Sequence, residues 1–372
     1  VKASPQPSSS LPGQRPHWSR RFLAGSTPLI SAHQNLSGLD TSTSPDSRAF
    51  EVNAKYFFYP VAGPGGRIAF HPLSATGRMP LSPPSIRFTS TFVDFAGDPF
   101  NPLRLYTASE DGKVRTWDLP EPTKVVEALN AKDQAAACSV LDLSEPADTL
   151  SLPDGVTSAR IAEIRPSPVA SDVIAAVLSG AEEESRLVVW NRRDPSLIST
   201  KVGQKGSFGF SWSPSGDLVA IAGKDKTLRV IDPRKENTGQ ISAHDSPRSF
   251  KTIWIDEQHI ISTGHGMGSL RQIKLYRLQR NSGNIELKVL KSLSLDNSPA
   301  ILFPHYDEDT NVLWLWSKGE RSVSAFEVQP EKPSELLTAL PAFQAGTPQV
   351  AMAFLPKRHA NVKAVEIAAS YR

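Results

Sequence analysis

Three kinds of residue in this chain have types that could do chemistry, and none keeps the spacing that the chemistry requires. Asp307, Asp309 and Asn311 match the start of a calcium-binding loop, which needs glycine at its sixth position and a bidentate glutamate at its twelfth. Those two positions hold Val312 and Lys318. The sequence therefore predicts a strand-connecting turn here rather than a calcium site.

The glycines Gly264, Gly266 and Gly268 have the spacing of a phosphate-cradling loop. Such a loop follows a strand and opens a helix, whose N-terminus binds the phosphate. The residues that follow, Leu270–Leu278, alternate as a strand does. The sequence therefore predicts a hairpin loop.

Nucleophilic catalysis has candidate side chains in eight histidines and one cysteine, but no arrangement that would activate them. The chain has no G-x-S-x-G nucleophile elbow and no histidine or cysteine cluster at metal spacing. Cys138 has Lys132 as its nearest basic residue and is predicted to be an unreactive surface thiol. We therefore expect no catalytic residue, no metal and no cofactor, and an enzyme is only the third alternative for function.

The elements that hold these residues are organised around one stretch, Leu105–Pro120, which predicts a β-hairpin. Two runs of alternating residues flank Asp111-Gly112, and Asp-Gly between such runs is a strong hairpin signal. A single hairpin cannot bury its own apolar face and is marginally stable alone. The hairpin must therefore belong to a larger sheet.

The same pattern recurs along the chain. Six hairpins are predicted, at Tyr56–Pro72, Leu105–Pro120, Val173–Trp190, Leu218–Asp232, Ile260–Tyr276 and Val312–Phe326. Their closing apolar residues are spaced by 47, 73, 41, 45 and 50 residues, and WD repeats, which form one four-stranded blade each, run about 40–45. Further strand-like pieces between the hairpins fit four strands per repeat.

These repeats predict an all-β chain that folds as a seven-bladed β-propeller of the WD-repeat type. Gln349–Leu355 and Val362–Tyr371 would supply two strands of the seventh blade, and Trp18–Gly25 would return from the other end to latch the ring. Residues 1–17 are predicted to be a Pro/Ser-rich linker and residues 18–372 the propeller. The spacing of 73 contains an acidic insertion at about residues 121–155, with short helical periodicity near Lys124–Ala137.

Composition and charge limit the partners. The formal net charge of +3 gives no strong field for nucleic acid. The insertion holds seven acidic residues and two lysines, so the rest of the chain has 39 basic and 31 acidic residues and suits an acidic partner. No apolar run approaches the ~20 residues of a membrane-spanning helix, so no membrane insertion is expected. One cysteine fits a reducing, cytoplasmic compartment, and we expect this piece of a longer protein to be a monomer.

Several residues have predicted structural roles. Asp111 and Asp225 lie in tight hairpin turns, where a carboxylate accepts backbone N–H groups. Trp117 and Trp190 are predicted to pack blades together, and His244 to be a hydrogen-bonded histidine at the opening of a blade.

The predicted partner-binding residues are three basic pairs, Arg20-Arg21, Arg192-Arg193 and Lys357-Arg358. Such pairs usually lie at solvated strand ends, where they contribute little. If they converge on one rim, they would form a basic patch for an acidic partner.

Several segments together resemble coronins. Trp117-Asp118 is the WD dipeptide, and three longer segments are similar to that family: Gly223–Lys235, Ile301–Val328 and Leu355–Ile367. The resemblance covers residues 18 to 372. A Pro/Ser linker ahead of a propeller is most similar to the second half of the long tandem-propeller coronins, and the short coiled-coil coronins are the alternative.

The resemblance implies a non-enzymatic propeller that binds actin filaments or actin regulators, associated with the cytoskeleton. Tandem members are also linked to Golgi and vesicle traffic. The chain departs from the family pattern at Gln34–Gly38, which lacks the basic residue that short coronins use for actin, and before Thr91, where Phe88 stands in place of a Gly-His pair. Direct binding and binding through regulators are therefore both open.

The alternative function is a generic WD-repeat scaffold or adaptor with no direct actin contact. The acidic insertion would then be a partner-docking loop. On that hypothesis its deletion abolishes partner recovery and leaves thermal stability unchanged.

Overall fold

The computed structural model is an all-β WD-type propeller, with 50% of the chain in strands and 7% in helices. It describes residues 25, 32–36, 38–40, 44–63, 66–153, 160–179, 184–203, 205–235, 237–281, 284–332 and 335–372. Six four-stranded sheets follow one another along the chain.

All pairings inside these six sheets are antiparallel. The first sheet has β2 (Glu51–Val52), β3 (Tyr56–Val61), β4 (Arg67–Pro72) and β6 (Ser85–Arg87). The second has β7 (Phe92–Gly97), β8 (Arg104–Ser109), β9 (Val114–Asp118) and β10 (Asp148–Leu150). The third has β11 (Arg160–Pro166), β12 (Val173–Ser179), β13 (Arg186–Asn191) and β14 (Asp194–Lys201).

The next three sheets repeat this order. The fourth has β15 (Ser207–Trp212), β16 (Val219–Gly223), β17 (Thr227–Asp232) and β18 (Asn237–Ser242). The fifth has β19 (Lys251–Trp254), β20 (His259–His265), β21 (Leu270–Asn281) and β22 (Asn284–Asn297). The sixth has β23 (Phe303–Asp307), β24 (Val312–Trp316), β25 (Ser322–Val328) and β26 (Leu337–Gln344).

The six predicted hairpins are confirmed as the two middle strands of the six sheets. The second strand of several sheets is a continuous apolar run that is buried on both faces, as in β16 and β24. Such a run fits a strand that is covered on both sides. Each sheet is therefore packed between two neighbours.

Separate apolar cores join successive sheets. Tyr106 of the second sheet packs with Ile164 and Trp190 of the third, and Phe210 of the fourth sheet packs with Val189 of the third. The fully buried side chains lie in these seams rather than in one central core. Because each seam needs both of its sheets, no blade is a folding unit on its own.

The seventh unit differs from the prediction. Its described part is a two-stranded antiparallel pair, β27 (Ala353–Phe354) with β28 (Ser370–Tyr371), where two longer strands were expected. Residues 357–359 and 362–364 form 3-10 turns instead. The latching segment Trp18–Gly25 lies outside the described residues except for Gly25, and the 1–17 linker lies outside them entirely.

The two-stranded pair still occupies the place of a blade. Phe354 packs against the sixth sheet, and Tyr371 packs against the first, with its ring 6.1 Å from that of Phe57. A second short pair, β1 (His33–Gln34) with β5 (Gly77–Arg78), is parallel and lies beside the first sheet. The side chains of the seventh unit thus pack on both the sixth sheet and the first, but the described strands do not close the ring.

The acidic insertion is a structural element of the first two sheets. It contains α1 (Pro122–Leu129) and α2 (Gln134–Ser139), where helical periodicity was predicted. Val125 is fully buried between the sheets, and Asp142 accepts hydrogen bonds from the backbone N–H and hydroxyl of Ser85 on the edge of the first sheet (2.8 and 2.9 Å). The region ends in β10, the outer strand of the second sheet.

This placement overturns two expectations. Deleting residues 121–155 would remove an outer strand and uncover an apolar seam, so thermal stability would fall rather than stay unchanged. Cys138 is 1% exposed and is therefore a buried thiol, not a surface one. Among the described residues, no helix has the length and apolarity to cross a membrane.

Candidate functional site

The turns of the propeller lie at two opposite ends, which carry different sets of charged residues. Because neighbouring strands are antiparallel, the turns between the first and second strands of each sheet, and those between the third and fourth, lie at the same end of the propeller. We call this end the arginine end; it carries Asp98–Arg104, Asp172, Arg192-Arg193 and Lys357-Arg358. The opposite turns carry Glu110–Lys113, Lys224–Lys226, His244–Arg248 and Lys318 and form the lysine end.

At the arginine end, three arginines converge on one carboxylate. Asp172 accepts hydrogen bonds from Arg104, Arg192 and Arg193, each at 2.8 Å. The Asp172 side chain is only 8% exposed, and its backbone has a φ of +63°, a left-handed conformation that non-glycine residues rarely adopt. Arg104 comes from the second sheet, so this cluster fastens the second sheet to the third.

Beside the cluster, a rigid loop presents an exposed aromatic ring. Phe100 is 47% exposed, and its backbone N–H, like that of Asn101, donates to the Asp98 carboxylate (2.8 and 3.1 Å). Asp98 also accepts from the hydroxyl of Tyr106 at 2.7 Å. Phe100 lines a cavity of about 440 Å³ together with the three arginines.

The four described basic residues of the predicted patch share the arginine end. Arg192 pairs with Asp172 and Asp148, and Lys357 with Asp307 and the carbonyl of Ile367, so both are engaged within the protein.

The other two basic residues remain open to solvent. Arg193 is 74% exposed although it pairs with Asp172, and Arg358 is exposed and donates to the carbonyl of Pro99 at 3.3 Å. Arg20 and Arg21 lie outside the described residues. Arg193 and Arg358 therefore flank the Phe100 loop and can meet a partner.

At the lysine end, two turns repeat one arrangement. Asp111 accepts from the backbone N–H of Lys113 (3.1 Å) and from the guanidinium of Arg115. Asp225 likewise accepts from the N–H of Thr227 (3.2 Å) and from both terminal nitrogens of Arg229. Burial acts in the opposite direction, but these hydrogen bonds lower the pKa of both carboxyls. Both aspartates are held as charged turn residues.

The predicted packing tryptophans lie in seams between sheets. Trp117 is 1% exposed and its indole N–H donates to the hydroxyl of Thr107 at 2.9 Å. The Trp190 indole donates to the carbonyl of Ser151 at 2.7 Å. Neither ring is placed as an open platform for a ligand.

His244 is part of a buried hydrogen-bonded chain. Its Nε2 lies 2.8 Å from the hydroxyl of Ser262, which lies 3.0 Å from the hydroxyl of Tyr276. Burial, with a smaller effect of Lys274, lowers the pKa of His244 to about 3. A histidine that is 1% exposed and holds its proton so weakly is a poor general base for an external substrate.

A charged cluster in the centre of the propeller escaped sequence reasoning. Arg165 pairs with Glu163 on its own strand and with Asp94 of the second sheet (3.0 Å). Glu163 accepts the backbone N–H of Phe210 of the fourth sheet at 2.7 Å, so the cluster links three sheets. Lys251 of the fifth sheet interacts electrostatically with Glu163. First strands of non-adjacent sheets therefore face one central channel.

The two channel carboxyls differ in their titration. Burial raises the pKa of Asp94, against the effect of Arg165. The pKa of Glu163 is lowered, because Arg165 and further cations outweigh the effect of burial. The alternation of charged with apolar residues in this first strand, with Glu163 and Arg165 on either side of Ile164, is the one sequence signal that could have found this cluster. Within the described residues, no group of three or more His, Cys, Asp or Glu side chains could hold a metal ion.

Known proteins with WD repeats are similar to this chain. The family model "WD domain, G-beta repeat" matches residues 196–232. The chain is 28% identical over 361 residues to "Coronin-7" of Bos taurus, an alignment that covers 95% of this chain and 36% of that protein. It is 28% identical over 338 residues to the "Coronin-like protein" of Saccharomyces cerevisiae, covering 89% of this chain and 48% of the relative. The chain thus spans about a third to a half of the length of these relatives.

A solved structure shows the same similarity. The WD40 domain of Toxoplasma gondii coronin superposes with a TM-score of 0.75 and 25% identity, covering 90% of this chain and 80% of that one. The resemblance predicted from the sequence is therefore confirmed: the chain is similar to coronins over about nine-tenths of its length, and its fold is that of a WD-repeat propeller.

Proposed function

We propose that this chain is a non-catalytic interaction module that binds actin filaments or actin regulators. The observation that carries the proposal is the similarity to coronins along about nine-tenths of the chain. A cytoskeletal location, with a further role at Golgi or vesicle membranes, belongs to the same proposal.

The arginine end supplies the contact surface in this proposal. Phe100 is a partly exposed aromatic residue on a loop fixed by Asp98, and Arg193 and Arg358 stand on either side of that loop. Aromatic and arginine side chains are the residues that most often carry binding energy at interfaces, and a fixed loop loses little entropy on binding. The arginines would meet the acidic surface of actin or of a regulator and raise the association rate.

Co-sedimentation of the purified chain with actin filaments, at about 50 mM and about 150 mM salt, tests direct binding. We expect pelleting with filaments, stronger at the lower salt, and a roughly tenfold loss of affinity in the double variant Arg193→Ala, Arg358→Ala. Phe100→Ala is expected to weaken binding at both salt concentrations, because an apolar contact is not screened.

The matched control is Lys205→Gln, Lys224→Gln, which removes two exposed cations at the opposite end. An equal loss in this control would move the contact away from the arginine end. No pelleting at either salt concentration would exclude direct filament binding, and recovery of an actin regulator by the same protein would then decide between an actin-related role and a generic scaffold.

A further inference from the structure

At the lysine end, three cationic side chains from three different sheets gather where the central channel opens. Arg48 precedes β2 of the first sheet, Lys251 begins β19 of the fifth, and Lys318 lies in the turn between β24 and β25 of the sixth. Lys251 interacts electrostatically with both Arg48 and Lys318. The three charges therefore share one space although their sheets are far apart in sequence.

Neutral oxygens, rather than carboxylates, hold the two ammonium groups. The Nζ of Lys318 donates to the carbonyl of Ser44 at 2.8 Å and lies 3.4 Å from the hydroxyl of Ser47. The Nζ of Lys251 donates to the carbonyl of Phe208 at 3.2 Å and lies 5.7 Å from the centroid of the Phe303 ring. Each ammonium has three N–H donors. Among the described residues, donors of both lysines are thus left for a ligand.

The mouth is short of negative charge. Asp46 is the carboxylate that favours the charged form of both lysines, and it already accepts the hydroxyl of Ser44. Glu163 and Asp94 both pair with Arg165. Arg48 reaches towards Glu163 at 3.8 Å, while 47% of its side chain stays accessible in the open channel. Glu51, at the start of β2, also interacts electrostatically with Arg48. Three cations therefore face two carboxylates, Asp46 and Glu51, at the entrance.

The pKa of each of the three cations is lowered. Burial, together with repulsion from Lys251, lowers the pKa of Lys318 to about 8, although Asp46 acts in the opposite direction. Burial also lowers the pKa of Lys251, with Arg48 and Arg165 adding to the effect and Glu163 and Asp46 opposing it. Burial lowers the pKa of Arg48, with Arg165 adding to the effect and Glu163, Glu51 and Asp94 opposing it. An anion placed among these groups would relieve their repulsion and use their remaining donors.

We propose that Arg48, Lys251 and Lys318 form a binding site for a phosphate group at the channel mouth of the lysine end. A phosphate dianion carries enough charge and acceptor oxygens to contact all three side chains at once. The ligand is either a free phosphate compound or a phosphorylated side chain of a partner that enters the channel. The site lies at the opposite end from the proposed actin-binding surface, so the two proposals stand or fall separately.

Titration calorimetry with inorganic phosphate, at constant ionic strength in a chloride background, tests the site. We expect saturable binding to the wild-type chain and a loss of about tenfold or more in Lys318→Gln and in Arg48→Gln. The matched control is Lys224→Gln, an exposed lysine in a turn of the fourth sheet at the same end. The wild-type thermal midpoint should rise with phosphate relative to chloride, and this rise should vanish in the two site variants.

A second measurement separates a binding role from a merely structural one. Binding should weaken as the pH rises through about 8, because Lys318 loses its proton there, and the pH dependence should disappear in Lys318→Gln. The groups that face this ammonium are Asp46, Lys251 and the oxygens of Ser44 and Ser47. An unaltered pH profile in the variant would count against the site.

A short phosphoserine peptide and its unphosphorylated form distinguish the two sources. Tighter binding of the phosphopeptide than of inorganic phosphate would assign the site to a phosphorylated partner, and the reverse order to a free phosphate compound. Equal heats in phosphate and chloride, or full binding in both site variants, would overturn the proposal.

Discussion

The two ends of the propeller use charge in opposite ways. At the arginine end, Arg104, Arg192 and Arg193 share one buried carboxylate, which joins two sheets and still leaves Arg193 exposed at the surface. At the lysine end, Lys251 and Lys318 rest on carbonyl oxygens and repel one another. The comparison shows that the number of basic residues on a surface says little about its capacity to bind an anion, which depends on whether carboxylates have already been placed beside them.

The largest expected effect follows from removing the carboxylate at the arginine end. Asp172→Ala leaves three guanidinium groups without their shared partner, and we expect a loss of about 3 kcal/mol in the free energy of unfolding. Urea unfolding at pH 7 measures this.

The matched control is Asp148→Ala, since Asp148 is 41% exposed and has one arginine contact, at 3.4 Å. Its cost is expected to stay below about 1 kcal/mol. Similar costs for the two variants would show that the Asp172 cluster does not fasten the sheets.

The next effect concerns pH and the buried histidine of the lysine end. The folded-state pKa of His244, about 3, lies below its ordinary value of 6.5, so the unfolded chain binds a proton more readily. The stability contribution is therefore complete above about pH 6.5 and is lost as the pH falls towards 3. Between pH 7 and 5 this one group should cost the wild-type protein about 2 kcal/mol.

Denaturant unfolding of wild type and His244→Asn at both pH values isolates this contribution. The variant starts less stable but should lose about 2 kcal/mol less on acidification. His359→Asn, at an exposed position, is the control. Parallel pH curves for wild type and His244→Asn would contradict the assignment. His71, whose pKa burial lowers to about 4, contributes in the same direction in both proteins.

A smaller effect is expected from the two aspartate turns at the lysine end. Asp111→Ala and Asp225→Ala each remove a backbone acceptor and a partly exposed arginine pair, which together are worth about 1 kcal/mol. Because the turns belong to different sheets, the double variant should show the sum of the two losses. A marked departure from additivity in thermal or chemical unfolding would mean that the two turns are energetically coupled.

The smallest effect on stability is expected at the exposed cations. Arg193→Ala at one end and Lys224→Gln at the other should each change the free energy of unfolding by less than about 0.5 kcal/mol. Measuring both by urea unfolding establishes that losses of binding in these variants come from the surface. A larger loss in Arg193→Ala alone would show that its bond to Asp172 stabilises the fold despite its exposure.

Much of the fold could be predicted from local sequence. The Asp111-Gly112 dipeptide predicts a hairpin turn, and the continuous apolar run of β24 predicts a buried strand. Both hairpins form as expected. No sequence pattern predicts the strand β10, since it has only three residues and follows two helices of an acidic region. The last two strands were expected to be longer, because strand propensity does not show where a chain turns into the 3-10 conformation at residues 357–359.

The candidate sites were predictable only in part. The shared position of Arg192, Arg193 and Arg358 at one end follows from the order of the strands, once the repeat is known. Whether each arginine is free to contact a partner cannot be predicted in this way, because Arg192 is bound by residues 20 and 44 positions away. The channel mouth was missed altogether, since Arg48, Lys251 and Lys318 carry no common motif.

The sequence by itself determined the repeating four-stranded unit, the turn chemistry of Asp111 and Asp225, and the similarity to coronins. These features depend on residues within a few positions of one another or on a long alignment. Only the tertiary structure decided which charges are neutralised and which are left for a partner. The physical reason is that a polar contact requires a separation of a few ångströms, and here Arg104 meets Asp172 and Lys318 meets the carbonyl of Ser44 across 68 and 274 residues of chain.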